Sequence, residues 1–294
     1  MKAFWALVRR EYLEHRGAFL YAPLILIGLV SLLIVSSLVS GRYRIYLPNP
    51  AAAPRLFDVG YFGVAVLWWG YCFVALFFYF ADAFNADRRN NQMFFWKSMP
   101  QTDLAILFSK FIAGMTVLPF LIYLALLLTG LIAAGIFFVL PHLVPALGAA
   151  DISGTLTAWG QISLVALCYL VLALLWYAPF FAWVGALSTM VGRWSIPLAL
   201  LIPVVASLFE GVVDFGSAPG GSYILTFLRQ RLSFRFDIGD LQQIMFSAQP
   251  IDLPALLGRL VAEVDWLLLL AGLVFALLVI YLASEYRRRW VLKG

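Results

Sequence analysis

Six long apolar runs dominate this chain, at about 18–40, 61–83, 105–139, 160–187, 194–213 and 266–284. Each is long enough to cross roughly 30 Å of hydrocarbon as a helix, which takes about 20 residues. None alternates polar and apolar positions, so a membrane β-barrel is excluded. Composition points the same way: 64% of the 294 residues are hydrophobic and only 12% are charged. A soluble fold of this length could not hide that much apolar surface. The expected fold class is an all-α integral membrane protein with six transmembrane helices, forming a single domain over residues 1–294.

Three runs need comment. The third, 105–139, is too long for one straight crossing, so its first turns are expected at the interface or the helix is tilted. The fourth and fifth are separated only by Ser188–Arg193 and should form a tight helical hairpin.

Six crossings put both termini on one side of the membrane. Thirteen of the 20 Lys and Arg residues then share that side: Lys2, Arg9, Arg10, Arg16, Arg88, Arg89, Lys97, Lys110, Arg193, Arg287, Arg288, Arg289 and Lys293. The excess of basic residues predicts that both termini are cytoplasmic. Residues 2–16 are not a signal peptide, because Arg9, Arg10, Glu11, Glu14 and Arg16 fall where an apolar stretch would be needed. Phe4, Trp5, Val8 and Tyr12 lie on one side at helical spacing, so residues 1–17 are expected as an interfacial amphipathic helix. It anchors the chain on the inner leaflet or also touches a cytosolic partner.

Chemistry-bearing clusters are scarce. Asp82, Glu210, Asp214 and Asp265 all fall at span ends, and no span carries an ionisable group at its centre. That disfavours proton- or sodium-coupled transport and intramembrane proteolysis. Cys72 and Cys168 sit in apolar runs and read as core residues; His15 and His142 lie in unlike contexts, with His142 expected in a solvated loop. The dipeptide Gly-Lys never occurs, so there is no phosphate-cradling loop. No catalytic residue, cofactor-binding residue or metal site is expected in this chain, and no nucleic acid as partner.

The segment between the second and third runs, 84–104, is the most informative. Asp87, Arg88 and Arg89 lead through Asn90, Asn91 and Gln92 into Phe94, Phe95, Trp96 and Lys97. Arg and aromatic side chains together on an exposed segment are the usual content of a protein-docking hot spot. Met99-Pro100 ends that stretch, and Thr102 or Asp103 can cap the next helix.

Asp87-Arg88-Arg89, Phe94-Phe95, Met99-Pro100 and Ser109-Lys110, in this order before a span, resemble the cytoplasmic loop of ABC-2 permeases, the membrane subunits of type-2 ABC exporters. Asn90-Asn91-Gln92 and Ser109 depart from the Gly-Thr and Gly usual there. The resemblance implies a coupling element that docks on a separate ATP-binding cassette subunit, present twice, with ATP and Mg held on that partner. It also implies a second permease copy or paralogue. Asp87, Arg88, Arg89, Phe94, Phe95, Trp96 and Lys97 are the coupling candidates it implies; otherwise the basic loop only fixes topology. The second span, rich in aromatics, lines the subunit interface in that family, which makes Trp68, Tyr71 and Phe78 candidates for the pathway, or else packing residues.

Residues 214–265 are too long for a plain connector. They are expected as an external loop of short amphipathic helices. One of these lies at Tyr223–Arg231; another starts at Asp252-Leu253-Pro254, with Leu256, Leu257, Leu260, Val261 and Val264 on one face. The loop is a lid on the bundle, or an outer gate with Arg229, Arg231 and Arg235 facing an anionic or amphiphilic substrate. The expected function is a permease exporting an amphiphile (lipid, peptide or drug-like) across a bacterial-type inner membrane. The rivals are a complex transmitting force to an envelope partner, a non-energised scaffold or receptor, and, less favoured, a secondary transporter.

Overall fold

A computed structural model describes residues 2–41, 56–89, 101–143, 151–213, 223–232 and 253–290; the side chains of Lys2, Arg88, Arg89, Pro141, Arg193, Leu253, Ala255 and Trp290 are outside that description. Among the described residues nearly all are helical and none forms a strand. The helices are α1 (Lys2–Arg16), α2 (Ala22–Val39), α3 (Leu56–Arg89), α4 (Asp103–Met115), α5 (Val117–Leu143), α6 (Ile152–Val191), α7 (Ser195–Val213), α8 (Tyr223–Leu232), α9 (Leu253–Ala262) and α10 (Trp266–Trp290). Six stretches are long and apolar enough to cross a membrane: Ala3–Val39, Leu56–Asp87, Asp103–Leu140, Ile152–Val191, Ser195–Val212 and Trp266–Arg289. The chain is a multi-pass helical membrane protein.

The central element is α6. It packs along α3 on one side and α10 on another. Its 40 residues make about 60 Å of helix at 1.5 Å per residue, twice the hydrocarbon thickness. The apolar reading began this helix at 160, but Asp151 starts it earlier: its carboxylate accepts from the Gly154 amide (3.0 Å) and the Ser153 hydroxyl (2.8 Å). Gly192 ends it with φ at +59°, a conformation few side chains tolerate, and a single turn, Gly192–Trp194, leads into α7. The expected hairpin between the fourth and fifth spans therefore forms at the expected place.

The core lies between α3, α5, α6 and α10 and combines aromatic rings with alanine and branched aliphatic side chains. Trp69 stacks on Tyr169 with ring centroids 4.2 Å apart, and Phe80 stacks on Phe181 at 5.2 Å. Buried polar atoms tie the helices. Tyr61 Oη lies 2.8 Å from Ser163 Oγ, and Trp68 Nε1 donates to Thr129 Oγ1 at 3.2 Å. Gly114 lets α4 press on α3, because a Cβ there would sit 2.5 Å from Phe80 Cζ. Cys72 is buried in this core, and both thiols are free.

Four sequence expectations change in detail. The third run is two helices: α4 and α5 meet at Thr116, whose backbone leaves the helical region (φ −127°, ψ −70°). The N-terminal helix is not separated from the first span, since Gly17–Tyr21 continue it as π-helix with helical dihedrals on both flanks. Its buried face is shifted from the expected one: Val8 is buried and Phe4 faces Phe108 of α4 at 6.1 Å, but Leu7 and Glu11 are buried beside them and Trp5 is exposed. His142 lies not in a loop but in the last turn of α5, exposed.

Candidate functional site

Where α1, the C-terminal end of α3, the N-terminal half of α4 and the C-terminal end of α10 meet, the protein buries a cluster of charges. Lys110 is the middle. Its Nζ lies 3.1 Å from Glu11 Oε1 and 3.5 Å from Asp87 Oδ1, and the three side chains are 1%, 2% and 0% exposed. Arg287, 3% exposed, donates from Nη1 to Asp87 Oδ2 at 3.0 Å and places Nε 3.0 Å from Asp103 Oδ1. Arg10 completes the group, with Nη2 3.6 Å from Asp87 Oδ1 and Nε donating to Glu14 at 2.7 Å.

Burying a lone charge costs several kcal/mol, and a buried pair persists only where charge and geometry match. Here Glu11, Asp87 and Asp103 face Lys110, Arg287 and Arg10, so each buried acid has a cation beside it. Tyr79 adds a hydroxyl within donating distance of Glu11 Oε2 (3.1 Å) and of the Lys110 carbonyl oxygen (2.9 Å). The His15 ring meets Tyr79 edge-on at 4.7 Å. Lys110 Nζ and Arg287 Nε are held to their acids by charge rather than by aligned hydrogen bonds, and Arg287 Nη2 is buried without an acceptor. Glu11, Glu14 and His15 bring potential ligand atoms within 4.8 Å of one another. Glu11 is already engaged by Lys110 and Tyr79, and Glu14 by Arg10, so this corner reads as ion pairing rather than a cation site.

The cluster encloses the two roots of the 90–100 segment. Asp87 is near the end of α3, and Asp103 begins α4, where Thr102 Oγ1 accepts from the Ala105 amide at 3.2 Å. Of the coupling candidates, Asp87 is therefore an internal anchor, not a surface contact. Phe94, Phe95, Trp96 and Lys97 lie outside the described residues, as do the side chains of Arg88 and Arg89. Glu11, Lys110 and Arg287 were missed as partners in the sequence. One signal was available: Glu11 follows Leu7 by four and Val8 by three, so it sits on an apolar face where an unpaired acid would be costly.

A second charged feature lies far from the first. From Arg287 back to Leu268 is about 28 Å of helix at 1.5 Å per residue. There Arg231 of α8 is buried, its guanidinium 4.3 Å from the Trp176 ring centre and Nη1 donating to the Leu268 carbonyl at 3.0 Å. Trp176 Nε1 donates to the Arg231 carbonyl at 2.7 Å, and the Tyr177 hydroxyl to that of Leu232 at 2.8 Å. Gly272 leaves the room, since any Cβ there would collide with the Arg231 guanidinium. At the other end of α8, Glu210 accepts from the Tyr223 amide (2.7 Å) and the Ile224 amide (3.0 Å). Of the expected outer gate, Arg231 thus pins α8 onto α6 and α10 instead of facing outward. Arg229 is exposed, and Arg235 lies outside the described residues.

The pathway candidates separate as well. Trp68 is buried against Thr129, the Tyr71 hydroxyl donates to the Ala18 carbonyl, and Phe78 is exposed on the outside of the bundle. Trp68 and Tyr71 meet edge-on, with ring centroids 5.8 Å apart, whereas Phe78 stands apart from both. The chain matches no protein-family model, no curated protein and no solved structure.

Proposed function

We propose that this chain is the permease subunit of an ATP-driven exporter of the ABC-2 kind. The observation that carries the reading is the placement of the loop roots. The 90–100 segment, with its Arg and aromatic content, springs from two helix ends fastened by Lys110, Arg287 and Glu11 to the first and last helices. A lever that receives force from a closing nucleotide-binding subunit needs such a base, because a soft root would absorb the motion.

On this reading both termini and the 84–104 segment face the cytoplasm of a bacterial-type inner membrane. Arg88, Arg89, Phe94, Phe95, Trp96 and Lys97 contact a separate ATPase subunit, present twice, which holds ATP and Mg. Two permease copies or paralogues form the pathway, and the cargo is an amphiphile suited to apolar and aromatic walls. No covalent chemistry occurs in this chain.

The test is a mild-detergent pull-down through a C-terminal tag, with the co-purifying protein assayed for ATPase activity. A stoichiometric ATP-binding protein is expected, and it should be lost in the Arg88→Glu, Trp96→Ala double variant while membrane insertion persists. A stable preparation without any ATPase would defeat the reading.

A further inference from the structure

We infer that Arg287 is a positioning residue that clamps both roots of the 90–100 segment to the last span, so that α3, α4 and α10 respond as one body at this end. The geometry is specific. One planar guanidinium meets two carboxylates, Asp87 through Nη1 and Asp103 through Nε, each at 3.0 Å. Asp87 closes the helix before the segment and Asp103 opens the helix after it. Nη1 donates a hydrogen bond to Asp87, while Nε meets Asp103 as an ion pair without an aligned hydrogen bond. The charge spread over the guanidinium lets one side chain serve both acids, whereas a lysine offers a compact charge that favours one. Asp87 is fully buried and Arg287 nearly so, so the bridge is weakly screened and has no water to replace it. Lys110 binds Asp87 from the opposite side and carries the same unit to Glu11 of α1.

The consequence is mechanical. Displacement of the 90–100 segment reaches α10 directly, without passing through the aromatic core. Only the source of that displacement rests on the function proposed above; the clamp itself does not.

The test is hydrogen exchange on the full chain in nanodiscs, following peptides from 81–89, 103–115 and 280–290. Arg287→Lys keeps the charge and should speed exchange in all three by about tenfold, as loss of one charge-assisted bond in an opening equilibrium implies. Asp103→Asn leaves the Arg287–Asp87 pair intact and should speed 103–115 and 280–290 while 81–89 keeps its rate. It remains informative if Arg287→Lys does not fold. A change confined to 280–290 in either variant overturns the clamp.

With a co-purified ATPase present, ATP should alter exchange at 280–290 in the wild type. Arg287→Lys should abolish that response while still binding the ATPase. A response that persists in Arg287→Lys overturns the inference. Absence of any ATPase defeats the proposed function, and the clamp then stands or falls on the exchange rates of the nucleotide-free chain.

Discussion

Lys110 Nζ lies 3.1 Å from Glu11 Oε1, joining the fourth helix to the first, and both side chains are almost wholly shielded. The pair is costly to halve and cheaper to remove. Lys110→Met leaves Glu11 and Asp87 buried without their shared cation and should destabilise the fold by about 3–5 kcal/mol. Adding Glu11→Gln should recover part of that loss, because the remaining acid, Asp87, keeps Arg287. Thermal unfolding in detergent of the two single variants and the double variant measures this; simple additivity would show that the pair is not coupled.

The pin at the opposite end of the bundle makes a sharper pair. Gly272→Ala should displace the Arg231 guanidinium from its place over Trp176 and loosen α8, at a cost of about 1–3 kcal/mol. In an Arg231→Ala background the same substitution should cost much less, because only Pro179 Cγ, 3.3 Å from the new methyl, is left close to it. Limited proteolysis between 214 and 252 together with melting temperature reads the cycle. Equal cost in both backgrounds would mean that Gly272 matters for another reason.

Glycines on different faces should respond oppositely. Gly114→Ala drives a methyl against Phe80 and Tyr79 and should cost about 1–3 kcal/mol. Gly60→Ala and Gly70→Ala meet nothing within 4 Å in the single chain and should gain about 0.5–1 kcal/mol from helix propensity. Melting of the isolated subunit tests all three. A loss at Gly60 or Gly70 seen only in the assembled complex would locate a partner helix on that face.

The Asp151 cap gives a pH signature outside the spans. The Gly154 amide, and then the Ser153 hydroxyl, hold its carboxyl below the usual carboxylate value. Its contribution is therefore complete above the ordinary carboxylate pKa and is lost as pH falls through the lowered folded value. Asp151→Asn keeps a cap acceptor but cannot titrate, so its stability relative to wild type should improve on acidification through that window. A constant difference from neutral to acidic pH would show that the cap carries no charge-dependent stability.

Much of the architecture was legible because lipid imposes a harsh rule. Every backbone polar group in hydrocarbon must bond within its own segment, so a long uncharged apolar run has one outcome. That rule located all six spans and the hairpin at Ser188–Arg193. Thr102 was readable as a cap because capping is local. The ends were less legible, since a helix continues past the apolar run whenever a cap or a packed neighbour supports it. Asp151 extends α6, and Leu7, packed with Ile106, holds α1 on α4.

The sequence by itself determined what the chain dissolves in, how often its helices can cross, and where its basic residues concentrate. Each follows from composition and local period, which need no knowledge of neighbours. Only the tertiary structure decided which charges meet. Glu11, Asp87, Lys110 and Arg287 are scattered over nearly the whole chain and carry no shared spacing. They form one buried group because four helices converge there, and a charge shut away from water is stable only where its counter-charge has been brought to it. The same holds for Arg231. In sequence it is one of several arginines in a long loop, and its burial follows from Trp176 and Gly272 standing opposite each other across two other helices.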